Sequence, residues 1–172
     1  MKEVDTKIIA GLMKNSKVSD RKLADSLGVS QPTITRRRAR LEEELSFNYT
    51  LIPDFAKMGM EIMAFQFAQW KPEAFRTPDQ QKEFTERINE YIADHPNLIF
   101  ISSGQGFGMS RMAISIHKSY SHYVQFESEF AEKFGKYAIR RESFLISLKS
   151  DRISRPLTFK YLADYIERTS SP

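Results

Sequence analysis

Four arginines lie within five residues, at Arg36, Arg37, Arg38 and Arg40, and three glutamates follow at 42–44. Arginine binds phosphate, carboxylate or the edge of a guanine, so this run could recognise an anion. Within a helix the order of these charges is unfavourable, because acids stabilise the N-terminal end and bases the C-terminal end. The arginines therefore indicate an external negative partner rather than support of their own helix.

Basic charge is concentrated in the same part of the chain. The 172 residues include 26 Lys and Arg against 22 Asp and Glu, a net charge of +4. Residues 14–40 alone hold eight bases and two acids, an excess larger than that of the whole chain. Such a local excess is typical of a surface that binds phosphate.

The composition indicates a globular protein of one or two domains. Hydrophobic residues make up 41% of the chain, enough for a core, and the longest uncharged run, 96–110, is too polar to span a membrane. The N-terminus lacks the apolar segment of a secretory leader, so we expect a cytoplasmic location. With no cysteine and three scattered histidines, we expect neither a metal nor another cofactor.

The first 45 residues read as three helices. Apolar spacing predicts a helix over 4–14, and Ser19 then caps a second helix that Gly28 ends. Ser30 caps the third helix, with Pro32 in its first turn. Ala24 with Gly28, Val29, Ser30 and Ile34 has the spacing of a helix-turn-helix motif. A helical hairpin used for protein contact is the alternative.

The third helix carries the candidate recognition surface. Thr33, Arg36, Arg37 and Arg40 are predicted to lie away from the buried Ile34, whereas Arg38 lies at the edge of the buried side. A recognition helix presents its N-terminal residues to base edges, and other bases contact phosphate. The candidate DNA-binding residues are Lys17, Arg21, Lys22, Ser30, Gln31, Pro32, Thr33, Thr35, Arg36, Arg37 and Arg40.

After residue 60 the pattern changes to strands alternating with two helices. The order βαββαβ predicts a ferredoxin-like domain whose two helices cover one face of the sheet. We expect a partner subunit or the C-terminal segment to cover the other face, which is partly apolar. The predicted class is α+β, with a (winged) helix-turn-helix domain at 1–52 that includes a strand-like run at 47–52, a linker at 53–60, the ferredoxin-like domain at 61–150, and a C-terminal helix and tail at 151–172.

A glycine-rich segment joins the second and third strands. Gly104, Gly106 and Gly108 alternate with other residues, but a dinucleotide site would need a helix next, and Met109 opens a predicted strand instead. The backbone N–H groups of this turn could hold a small anion. A flexible hairpin is the alternative.

The pattern as a whole resembles a known family. Asp5 with Ile8, Leu23-Ala24, Gly28-Val29-Ser30, Thr33-Ile34 and Leu41-Glu42 resemble the N-terminal domain of leucine-responsive/AsnC (Lrp/AsnC) transcriptional regulators, and the βαββαβ segment resembles their effector and dimerisation domain. The resemblance implies a regulator, not an enzyme, that binds double-stranded DNA as a homodimer or higher oligomer. It also implies a small-molecule effector such as an amino acid, at Ser103, Gly104, Gln105, Gly106, Phe107 and Gly108.

The chain departs from that family at three points. Arg38 and Leu45 stand where the family usually has an aliphatic residue and a glycine, and the 103–108 turn lacks the usual aspartate. Two other functions use the same two-domain plan: a tetrapyrrole (siroheme) decarboxylase-like enzyme, and an effector-sensing module without DNA binding. The arginines, and the absence of a histidine–arginine pocket motif, favour the regulator.

Overall fold

The computed structural model describes residues 2–169 and divides into two units, Met1–Ile52 with Arg155–Pro172, and Pro53–Ser154. The predicted α+β class, a helix-turn-helix followed by a ferredoxin-like domain, is confirmed. The end of the predicted tail, at 170–172, lies outside the described residues. The elements are α1 Glu3–Lys14, α2 Asp20–Leu27, α3 Gln31–Glu44, β1 Ile62–Trp70, α4 Pro78–Asp94, β2 Leu98–Gly106, β3 Met109–His117, α5 Tyr120–Phe134, β4 Ala138–Ser147 and α6 Lys160–Thr169.

The first three helices form around one apolar core. Ile8 of α1, Leu23 of α2 and Ile34 of α3 are buried together. The Ser19 side chain accepts a hydrogen bond from the Lys22 backbone N–H, as its predicted cap role requires. Gly28 ends α2 at a φ of 65°, a left-handed conformation that a residue without Cβ adopts at little cost. The tight turn between α2 and α3 depends on this glycine.

The predicted wing is not a strand. Residues 47–52 pair with no other strand in the described chain, so the wing is wrong for this structure. Side chains hold this segment instead: Phe47 packs against the three-helix core, and the Tyr49 hydroxyl donates to Glu42. Alternating apolar residues predicted a strand, but a strand also needs a neighbour for its backbone, and this segment has none.

The C-terminal helix α6 belongs to the N-terminal unit. It packs on α1, with Ala163 fully buried, and Lys14 of α1 binds Asp164 at 2.8 Å and Glu167 at 2.5 Å. The alternative in which this segment covers the sheet is therefore wrong for the described chain, since α6 packs on α1. Among residues 2–169, the helices are all too short or too polar to cross a membrane.

The second unit is an antiparallel sheet of order β2-β3-β1-β4 with helices on one face. A capping box at Thr77 and Gln80 starts α4, and the Ser119 side chain caps α5. Phe84 and Tyr91 of α4 pack with Phe126 and Phe134 of α5. Against this core lies the helix-facing side of the sheet.

The opposite face of the sheet is apolar. The strand register places Phe65 of β1 between Ile114 of β3 and Phe144 of β4, and it places Phe67 beside Met112 of β3. Phe144 is 65% exposed and Phe100 of β2 is 49% exposed. Exposed apolar patches of this kind are typical of binding surfaces.

Candidate nucleic-acid interface

Four exposed bases of the helix-turn-helix have no ion pair within the described chain. Arg36 projects from the side of α3 opposite Ile34, since residues two apart on a helix differ by roughly 200°. Arg21 and Lys22 lie in the first turn of α2, and Lys17 lies just before this helix. None of these cations is neutralised by a described acid, so each is free to bind an external anion. The unpaired bases are Lys17, Arg21, Lys22 and Arg36.

Arg37 and Arg40 are held by a buried acid of α1. Arg37 Nη1 donates to Asp5 Oδ1 at 2.7 Å, and Arg40 Nη2 donates to Asp5 Oδ2 at 2.8 Å. The Asp5 side chain is only 2% exposed, against 21% for Arg37 and 47% for Arg40. Arg37 thus has a structural partner, while Arg40 pairs with Asp5 and still presents about half of its side chain to solvent.

This ion pair keeps Asp5 charged. Burial works to raise the pKa of the Asp5 carboxyl, but the hydrogen bonds and positive charges of Arg37 and Arg40 outweigh burial and lower that pKa below its ordinary value. A buried carboxylate would be unfavourable without these cations. The arginines therefore fix α3 against α1. Sequence reasoning missed this role, although Asp5 shares a helical face with the buried Ile8 and Leu12, and an acid there requires a partner.

Arg38 has a structural role that the sequence left unassigned. Its guanidinium donates to Glu42 at 2.7 Å, to Asp20 of α2 at 3.1 Å and to the Tyr49 hydroxyl at 3.2 Å. Its side chain, 23% exposed, links α3 with α2 and with the segment after α3. An aliphatic residue at this position could only pack, whereas Arg38 joins three elements through hydrogen bonds.

The remaining candidates lie around the start of α3. Gln31 and Pro32 are exposed, and the Ser30 and Thr33 hydroxyls are 2.8 Å apart, so Ser30 occupies the cap position without the capping hydrogen bond of its side chain. Thr35 Oγ1 donates to Asp20 Oδ2 at 2.7 Å. This bond joins the middle of α3 to the start of α2, whose next residue is Arg21.

The glycine-rich segment is a tight hairpin. The turn is shorter than the predicted 104–108: β2 continues to Gly106, and only Phe107 and Gly108 connect it to β3. Both residues have positive φ, 53° and 73°, as a two-residue turn between twisted strands requires. All six predicted effector residues, 103–108, are exposed.

Comparison with known proteins agrees with this geometry. Residues 1–42 match the AsnC-type helix-turn-helix domain. LrpC of B. subtilis is 25% identical, with a TM-score of 0.66 over 90% of this chain and 99% of that chain. The regulator NMB0573 of Neisseria meningitidis, solved as an L-Met complex, is 14% identical with a TM-score of 0.72 over 94% and 99%, and AsnC of E. coli is 15% identical with 0.65 over 91% and 97%. No curated protein sequence matches the chain.

An AsnC-type helix-turn-helix domain and a fold shared with LrpC support a DNA-binding transcriptional regulator. The resemblance to Lrp/AsnC regulators is confirmed: residues 1–42 form an AsnC-type helix-turn-helix domain, and the two-domain fold is shared with LrpC over nearly the whole of both chains.

Proposed function

We propose that this protein is a sequence-specific transcriptional regulator that binds double-stranded DNA as a homodimer in the cytoplasm. The observation that carries the proposal is the set of unpaired, exposed bases Lys17, Arg21, Lys22 and Arg36 on an AsnC-type helix-turn-helix. Arg36, with Gln31 and Pro32, is available to base edges, while the other bases and Arg40 suit phosphate.

Replacing Arg36 with alanine is expected to weaken duplex binding by about tenfold or more without lowering the melting temperature. The reason is that Arg36 has no partner within the described protein, so only contacts with DNA are lost. Fluorescence anisotropy with a selected operator duplex measures the affinity over a salt series. The wild-type plot of log affinity against log salt should fall with a slope of roughly −7 for a dimer with four phosphate contacts per chain.

Arg168→Ala is the matched control, because Arg168 is an exposed arginine of α6 outside the proposed surface. The Arg168→Ala variant should bind the duplex with the same affinity and the same salt dependence as the wild type. Wild-type protein that binds no duplex at low salt would refute the proposed regulator. A spectral shift on adding a tetrapyrrole would then favour the decarboxylase-like alternative.

The apolar face of the sheet supports dimerisation through the C-terminal unit. Phe144→Glu is expected to raise the dimer dissociation constant at least thirtyfold, because it places a charge beside Phe65, in the row of this face that also holds Ile114. Sedimentation velocity over a concentration series measures this constant. Phe159→Glu, at a similarly exposed phenylalanine outside the sheet, should leave the dimer intact. An unchanged Phe144→Glu dimer would assign the interface elsewhere.

The hairpin at 103–108 is also proposed as part of an effector site. Its residues are exposed in one chain, so a ligand bound there would be enclosed only with a second chain. The L-Met complex of the related fold NMB0573 supports an amino acid as the ligand. Repeating the duplex titration with added L-methionine tests this response, and equal affinities with and without it would count against this amino acid.

A further inference from the structure

A large cavity lies within the C-terminal unit, between its helices and its sheet. Its volume is about 750 Å³, within the range of small-molecule sites. It is separate from the basic surface of the helix-turn-helix, and of the six hairpin residues only Ser103 lines it. The DNA-binding proposal makes no use of this space.

Small side chains on the sheet create the cavity. The register aligns Ala113 of β3, Gln66 of β1 and Ser143 of β4 in one row across the helix-facing side of the sheet. The next row contains Ser103 and Ala68. These alanines and serines extend too little to meet the helices opposite, so the helix and sheet layers enclose unfilled volume.

The wall opposite these small residues is aromatic. Phe84, Tyr91, Phe126 and Phe130 line the cavity from the helices, and Trp70 at the end of β1 meets Phe84 edge to face at a centroid distance of 5.2 Å. Aromatic rings held in this way offer both faces and edges to a further ring. The shape and chemistry of the wall therefore suit a planar apolar group.

Two arginines lie in one row of the cavity floor, on either side of Ala68. Arg141 is already neutralised: its Nη2 is 2.5 Å from Glu127 Oε2, and its guanidinium lies 4.5 Å from the centre of the Phe130 ring. Gln66 donates to the other Glu127 oxygen at 3.2 Å, so the acid is satisfied. Arg111 lines the cavity, is exposed, and has no ion pair within the described residues.

We propose that this cavity binds an aromatic carboxylate, with its ring among Trp70, Phe84 and Phe130 and its carboxylate on Arg111. The free charge in the cavity is positive, because both acids that line it are occupied, Glu127 by Arg141 and Gln66 and Glu142 by Arg140, while Arg111 has no ion pair among the described residues. A carboxylate would neutralise the Arg111 guanidinium, and two parallel hydrogen bonds are the most favourable geometry for that pair. An amine would find no free acid at this position. The inference does not depend on DNA binding.

Trp70 makes the test direct, since it is the only tryptophan of the chain and lines the cavity. Phenylpropionate is titrated into the full-length protein while tryptophan fluorescence is recorded, and its neutral amide serves as the matched ligand. A saturable change with phenylpropionate, at an affinity at least tenfold above that of the amide, is expected. No fluorescence change, or equal affinity for acid and amide, would overturn the proposal.

Two variants locate the ligand. Arg111→Gln is expected to weaken phenylpropionate binding about tenfold to a hundredfold and to leave amide binding unchanged, because only the charged contact is lost. Arg152→Gln, an exposed loop arginine of the same unit, is the control and should bind as the wild type does. Ala113→Met narrows the cavity from the sheet side and should weaken binding of both ligands. Full binding by Ala113→Met with an unchanged circular dichroism spectrum would place the ligand elsewhere and refute the proposal.

Discussion

An Arg37→Ala, Arg40→Ala double variant is expected to lose about 3–5 kcal/mol of unfolding free energy from the N-terminal unit. Both cations are hydrogen bonded to Asp5, and their removal leaves a buried carboxylate without compensation. The lowered pKa of Asp5 means that the ion pair stabilises the fold above the ordinary carboxyl pKa of 3.8, and that this contribution is lost as the pH falls through the lower folded value. Urea unfolding at neutral pH, followed by circular dichroism, measures the loss.

A third substitution separates this cause from loss of packing. Adding Asp5→Asn to the double variant removes the uncompensated charge and should restore most of the stability. Arg36→Ala, which removes a neighbouring arginine without an ion pair, should change the unfolding free energy by less than about 0.5 kcal/mol. A double variant as stable as the wild type would show that Asp5 does not depend on these arginines.

Stability of the C-terminal unit is expected to fall by about 3 kcal/mol between pH 6.5 and pH 4 because of one histidine. The pKa of His117 is lowered from 6.5 to about 4, mainly by burial and to a smaller extent by the charge of His122. The unfolded chain therefore binds this proton at higher pH than the folded chain does. The stabilisation is complete above pH 6.5 and declines by roughly 1.4 kcal/mol per pH unit until the folded pKa is reached.

The measurement compares wild type with His117→Gln by urea unfolding near pH 7 and near pH 4. The side chain of His117 is fully buried, 2.7 Å from Ser115 Oγ and 3.5 Å from Asn97 Nδ2, so the variant is expected to be less stable at neutral pH. Its further loss towards pH 4 should be smaller than that of the wild type by about 3 kcal/mol. His122→Gln should keep most of the wild-type pH dependence, and a His117→Gln curve parallel to the wild type would contradict the assignment.

Local patterns were sufficient for most of the fold. The effects of Ser19, Gly28 and the Thr77 capping box extend over only a few residues, so they can be predicted from adjacent positions. The alternation of residues in β1 likewise indicates which side chains lie on each face of the strand. The segment at 47–52 shows the limit of such reasoning. Its residues favour a strand, but pairing depends on a neighbour that local sequence does not supply.

The candidate site shows the same limit at α3. Arg37 and Arg38 lie three and four residues after the buried Ile34, so roughly 60° and 40° to either side of it, and the prediction that Arg37 lies away from Ile34 is wrong. A helical wheel gives these directions, but it does not show that Arg37 meets Asp5 on one side and that Arg38 meets Asp20 on the other. The partners are 32 and 18 residues away in sequence, and only the packing of three helices brings them together.

The return of α6 to α1 changes how the two units are connected. The chain leaves the N-terminal unit at Ile52 and comes back to it at Arg155, so the C-terminal unit is an insertion within it, joined by two covalent connections. Any rotation of one unit against the other must be absorbed by backbone torsions in both connections at once. A single linker would leave the units to reorient independently, whereas two connections restrict the rotation of one unit relative to the other.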